Sequence, residues 1–257
     1  AVKDFCYHKV MTEQTLLEGY ISVRAALKAG SRPIDRITIR DNKWDRGVAW
    51  LERAARDAGI PLERASADAI DALAGGSTHG GIVAHVGPRR FVALDDIARD
   101  RPAPFVAMLD GIEDPFNFGQ AVRALYAAGA DGLVVRPRNW LSAAGVVARA
   151  SAGASEWIPT AVAETVQEAA AHFRARGLAI AVAARDNAIS IYDADLTVPL
   201  LLVIGGEKRG ITRSFEDQAD LRLAIPYGSA FDQSLGTAPA TAVLAFEVLR
   251  QRGRRGV

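Results

Sequence analysis

Cysteine is almost absent from this 257-residue chain: Cys6 stands alone. One thiol excludes an internal disulfide and any thiolate metal cluster. Histidine is scarce as well. His8, His79, His85 and His172 are scattered without metal-ligand spacing, so no metal site is expected. Long apolar runs are missing, and none approaches the roughly 18 residues that a membrane span requires. The first ten residues, AVKDFCYHKV, hold no apolar signal region. A cytoplasmic protein without membrane contact is therefore expected. Charge of one sign is also lacking. Lysine and arginine total 31 against 30 acidic residues, and neither residues 1–103 nor 104–257 form a basic block. Affinity for nucleic acid must then rest on local clusters such as Arg36/Arg40/Arg46, Arg89-Arg90, or Arg250, Arg252, Arg254 and Arg255. Any one such cluster is usually just a solvated face. No Gly-x-Gly-x-x-Gly follows a predicted strand, and there is no P-loop, nucleophile elbow or Cys/His pair.

What is present is a folded, alternating α/β pattern. Apolar residues make up 49% of the chain and charged residues 24%, proportions that suit a globular protein. The spacing predicts a helix over Leu16–Ala29 stopped by Gly30, a strand over Ile34–Ile39, and a helix over Val48–Ala58 stopped by Gly59. A short helix over Ala67–Leu73, closed by Gly75-Gly76, and a strand over Gly81–Val86 complete a small α/β domain within residues 1–92. Residues 93–103 read as a linker, with Asp95-Asp96 and Arg99-Asp100-Arg101. Residues 104–257 form the second domain. Its strands are predicted at 104–109, 132–136, 178–184, 200–205 and 221–225, and its helices at 119–128, 142–152, 164–176, 211–218 and 238–250. Strand and helix in turn imply a mainly parallel sheet, whose ligands bind beyond the carboxyl ends of the strands.

Three segments fall at such ends. Asn117-Phe-Gly-Gln-Ala-Val-Arg123 follows the apolar run PFVAML, and the spacing sets Asn117 and Gly119 at the crossing from strand to helix. Arg123 comes about one turn later, able to point back over the same mouth. Leu201–Gly210, LLVIGGEKRG, is a strand that breaks into glycines, a glutamate and two cations. Leu221–Leu235, LRLAIPYGSAFDQSL, leads into an apolar final helix. Asn117, Glu207 and Ser234 also have plain structural readings as helix caps or turn residues, and Arg123 as a solvated helix residue.

In this order and spacing the three segments resemble the SpoU (TrmH-type) branch of the SPOUT RNA methyltransferases. Asn117, Gly119 and Arg123 match its first motif. Gly205, Glu207 and Gly210 match the second, and Ile225, Pro226, Ser234 and Leu235 the third. The amino-terminal domain resembles the L30e-like substrate-binding domain of that family through Glu18-Gly19 and Thr78-His79-Gly80-Gly81-Ile82-Val83-Ala84. The resemblance implies a small L30e-like α/β/α domain followed by a SPOUT α/β domain with a C-terminal deep trefoil knot. It implies S-adenosylmethionine as cofactor, held by Gly205, Gly206, Gly210, Ile225, Pro226 and Leu235. Arg123, Asn117, Glu207 and Ser234 become the catalytic candidates, RNA (rRNA before tRNA) the substrate, and a homodimer the assembly. Guanidinium stays protonated in proteins, so Arg123 suits phosphate binding and oxyanion stabilisation better than proton abstraction. The chain departs from the pattern at Gly236 (family Asn), at Tyr227 (family Met), and in a longer loop between Ile225 and Ser234. Those departures leave a second reading open: an RNA-binding relative with an altered or degraded methyltransferase site.

Overall fold

The computed structural model describes residues 15–74, 78–137, 143–206 and 210–253. Expectations placed on Cys6, His8, Gly75-Gly76, Glu207, Arg254 and Arg255 lie outside the described residues. The first elements are β1 (Thr15–Glu18), α1 (Gly19–Ala29), β2 (Ile34–Arg40), α2 (Arg46–Asp57), β3 (Leu62–Ala65), α3 (Ala67–Ala74) and β4 (Ile82–Val86). Next come β5 (Phe105–Asp110), α4 (Pro115–Ala127), β6 (Gly132–Val135), α5 (Ala144–Ala150), α6 (Ala154–Trp157), β7 (Thr160–Val162) and α7 (Val166–Ala175). The chain ends with β8 (Ala179–Ala183), β9 (Ile189–Ser190), β10 (Leu200–Gly205), α8 (Arg213–Glu216), β11 (Leu221–Ala224) and α9 (Thr237–Arg252).

Two compact units result. The first joins the described residues up to Arg90 to residues 143–157, so that α5 and α6 return to it from later in the chain. Its sheet runs β1-β4-β2-β3, with β4 antiparallel to both neighbours and β3 parallel to β2. Leu17, Val23, Ile37, Ile39, Leu51 and Ile82 fill its core together with Ala148 of α5. A helix was expected from Leu16, but Thr15–Glu18 is a strand. Its four residues pair with Val86 through Val83, which buries Leu17, and Gly19 then turns the chain into α1 at φ +81°. Cross-strand pairing overrides the helical spacing there. Asp45 accepts the Val48 N–H at 2.8 Å and starts α2 two residues before the apolar pattern does. The parallel strand β3, the edge of this sheet, carried no alternation to reveal it.

The second unit comprises the described residues 91–137 and 158–253. Its seven strands run β7-β6-β5-β10-β8-β11-β9, and every pair is parallel. A sheet covered on both faces needs apolar strands throughout, as in FVAMLD and LLLVIG. Val106, Met108 and Val203 meet Ala169, Ala170 and Phe173 of α7 in one core. The alternate residues Phe105, Ala107 and Leu109 are also buried and point the other way. The five strands expected here form within a residue or so of their predicted bounds. The short strands β7 and β9 add themselves at the two edges.

Candidate active site

The carboxyl ends of β8, β10 and β11 and the first turns of α9 enclose a cavity of about 800 Å³. This volume is typical of small-molecule sites. Its wall follows directly from the chain: Ala183–Arg185 after β8, Ile204–Gly206 after β10, Leu223–Ile225 after β11, and Ser234–Thr237 entering α9. Ala240 and Leu244 of α9 add apolar surface.

Glycine is obligatory at the β10 end. A Cβ on Gly206 would lie 2.0 Å from the Gly111 carbonyl oxygen, and one on Gly205 would lie 2.6 Å from the Gly210 carbonyl carbon. The Gly206 N–H donates to the Asp110 carbonyl at 2.8 Å, and the Gly210 N–H to the Gly206 carbonyl at 3.0 Å. The turn after β10 thus presses against the turn after β5, and only bare backbone fits between them. These glycines serve the close packing of the turns, and the cavity wall beside them is left as main chain.

The third motif is a loop tied across itself. The Leu235 N–H donates to the Tyr227 hydroxyl oxygen at 2.9 Å, and the Tyr227 and Phe231 rings lie 6.1 Å apart. Arg185 donates to the Asp232 carbonyl of the same loop. Tyr227, where the family has Met, is therefore the residue that closes the longer loop.

Of the predicted cofactor residues, Gly205, Gly206, Gly210, Ile225 and Leu235 line the cavity, as does Ser234; Pro226 is exposed between lining residues. Ser234 is not a helix cap. Gly236 occupies that position of α9, without a side-chain hydrogen bond. Pro239 falls third in α9, where its missing N–H would have had no intrahelical partner anyway. Asn117 and Arg123 do not line the cavity. Nor do Asn117 and Gly119 stand at the strand-to-helix crossing as expected. Asp114 caps α4 by accepting from the Phe116 and Asn117 N–H groups, at 3.0 and 3.4 Å, and Pro115 opens the helix. Asn117 is thus in its first turn and Arg123 in its exposed middle. The Asp-Pro pair was the sequence signal for that earlier start. Glu207 lies outside the described residues. Arg185, Gln233, Thr237 and Leu244 line the cavity without having been singled out. For Arg185 the signal was its place just past a parallel strand.

Residues 104–246 match the family model described as the SpoU rRNA Methylase family. The chain belongs to the SpoU rRNA methylase family. Residues 16–92 match a second model, RNA 2'-O ribose methyltransferase substrate binding. Among similar proteins is the 23S rRNA (guanosine-2'-O-)-methyltransferase RlmB of Shewanella oneidensis, 30% identical over 94% of this chain and 99% of its own. The RlmB of Ralstonia nicotianae is 29% identical over 94% of this chain and 98% of its own. The SpoU methyltransferase AviRb of Streptomyces viridochromogenes, crystallised with AdoMet, has the same fold. Its TM-score is 0.80 at 21% identity, over 98% of this chain and 99% of AviRb. Membership of the SpoU family makes the chain an RNA methyltransferase.

Proposed function

We propose that this chain methylates the 2'-hydroxyl of a guanosine ribose in 23S rRNA, using S-adenosylmethionine as methyl donor. The observation that carries the reading is the cavity lined by residues of both the second and the third motif. The RlmB relatives, matched over nearly their whole length, supply the substrate class. When bound, S-adenosylmethionine supplies a methyl group on a sulfonium sulfur. Gly205, Gly206, Gly210, Ile225, Pro226 and Leu235 hold it, mainly through backbone groups. Ser234 Oγ, exposed at the rim, donates to an RNA phosphate. Arg123 binds the phosphate beside the target ribose and stabilises the oxygen as its proton leaves to water, a role its permanent charge suits. Asn117 orients Arg123 or the ribose.

Arg123 is exposed, away from the cavity of its own chain. On the same helix Phe116 and Tyr126 are also exposed, as is Phe246 of α9. These apolar side chains support a homodimer in which Arg123 serves the partner's site. Residues 1–92, with α5 and α6 joined to their compact unit, form the RNA-gripping domain, 93–103 the linker and the rest of 104–257 the catalytic domain with its knot, and the reaction takes place in the cytoplasm.

Calorimetric titration with S-adenosylmethionine, followed by methyl transfer to unmodified 23S rRNA and mapping of the product, tests the reading. Micromolar binding and one modified guanosine are expected. Donor binding without methylated 23S rRNA would remove the substrate assignment. No donor binding would favour the RNA-docking alternative that Gly236 and Tyr227 leave open.

A further inference from the structure

Trp44 is the most exposed large apolar side chain of the described residues, at 72%. It stands in the loop between β2 and α2, among Asp41, Asn42, Asp45 and Arg46, all exposed. Exposure of an indole is costly, and the loop is built to maintain it. The Arg64 guanidinium carbon lies 3.9 Å from the Trp44 ring centroid. That guanidinium is itself fixed. Its Nη1 donates to the Arg40 and Lys43 carbonyls at 3.0 and 2.9 Å, and its Nη2 donates to Glu52 Oε1 at 2.5 Å. One face of the ring is therefore backed by a clamped cation. Among the described residues no other ring or cation covers the second face.

A further cation follows two residues after this ring in the chain. Arg46 is exposed at the start of α2, whereas Arg40 Nε is buried without a hydrogen bond among the described residues. The carboxylate that follows Trp44 in the chain is committed elsewhere: Asp45 caps α2 and pairs with Lys43 at 3.0 Å. The Arg40 N–H donates to the Gly81 carbonyl at 2.9 Å, which ties the loop to the Thr78–Gly81 turn.

We propose that the outer face of Trp44 stacks an unpaired nucleobase of the RNA substrate while Arg46 meets an adjacent phosphate. An open aromatic face with a cation beside it is what a single-stranded nucleotide requires. A protein partner would instead need a contiguous apolar patch, and the neighbours of Trp44 are polar. The clamp by Arg64 orders the ring beforehand, so that little conformational entropy is lost on stacking. This inference rests on the RNA substrate proposed above.

The test is fluorescence anisotropy of a labelled short oligoadenylate with the full chain, the Trp44→Ala and Trp44→Phe variants, and an oligoadenylate carrying one abasic nucleotide. Thermal melting establishes that each variant is folded. Trp44→Ala is expected to weaken oligoadenylate binding about tenfold, and Trp44→Phe by no more than about threefold. The abasic probe should narrow the gap between wild type and Trp44→Ala. Equal affinity of wild type and Trp44→Ala would overturn the platform while leaving the RNA reading intact. A wild-type protein that binds neither oligoadenylate nor 23S rRNA would overturn both. Loss of self-association in Trp44→Ala with unchanged RNA affinity would make the ring a protein contact and overturn the platform.

Discussion

Gly206 and Gly111 meet backbone to backbone: a Cβ on Gly206 would sit 2.0 Å from the Gly111 carbonyl oxygen. Neither partner is a flexible side chain that could swing away, so Gly206→Ala must push the β5 and β10 turns apart. The expected cost is about 2–4 kcal/mol, with a fall in melting temperature on the order of 10 °C. S-adenosylmethionine binding should be lost with it. Gly228→Ala is the control, since nothing lies within 4 Å of the added carbon. Calorimetry and thermal melting of both variants check this; an unaffected Gly206→Ala would show that the turns are free to separate.

The second motif was legible because its chemistry is local. A parallel strand that ends in two glycines leaves few alternatives to a close backbone approach. Arg123 was placed correctly in the chain, but its distance from the cavity was not visible. Helical spacing says where a side chain can point on its own helix, not which pocket that helix serves. Asp114-Pro115, a capping carboxylate followed by a first-turn proline, marks the true start of α4, which the apolar spacing from Ala121 onward does not reveal. The strands β1, β3, β7 and β9 have two to four residues each, too few for alternation to declare itself, and they owe their existence to partners far along the chain.

Tyr227 closes its loop through one hydrogen bond, accepted by its hydroxyl oxygen from the Leu235 N–H. Tyr227→Phe keeps the ring but leaves that N–H to water. The exposed loop should loosen at little cost in stability, whereas donor affinity falls about three- to tenfold, the equivalent of one ordinary hydrogen bond. Titration calorimetry distinguishes this from a fully tolerant loop, in which affinity would not change.

Glu156 is buried with Arg32, at 2.9 and 2.8 Å, and accepts from Ser31 Oγ at 2.5 Å. Burial raises its pKa, but Arg32, Arg89 and Ser31 together outweigh it and hold the carboxyl below its ordinary value. Burial pulls the Arg89 guanidinium down to about 10, still charged at neutral pH. A depressed folded-state value means that the carboxylate stabilises the fold above the ordinary glutamate range, near 4.3, and that this contribution is lost as pH falls through the folded value. Glu156→Gln leaves buried guanidinium charge uncompensated and should cost about 3–5 kcal/mol at pH 7. Denaturant unfolding followed from neutral pH downward through and below the ordinary glutamate range should show a steep acid loss in wild type and a flatter profile in the variant. Parallel profiles would place the acid-sensitive group elsewhere.

If Arg123 serves the partner's site, two inactive chains can restore one another. Arg123→Ala alone should abolish methyl transfer and leave donor binding within a few-fold, because Arg123 does not line the cavity. Tyr227→Ala, which removes both the loop closure and the ring at the cavity wall, should fail in donor binding while its Arg123 remains intact. In a mixed dimer, one site combines the sound cavity of the Arg123→Ala chain with the Arg123 of the other. Co-refolding equal amounts should then return about a quarter of wild-type activity, since half the dimers are mixed and each holds one complete site. No recovery, in a sample shown by light scattering to contain dimers, would mean that each chain supplies its own arginine after α4 moves. A strict monomer with full activity would remove the shared site altogether.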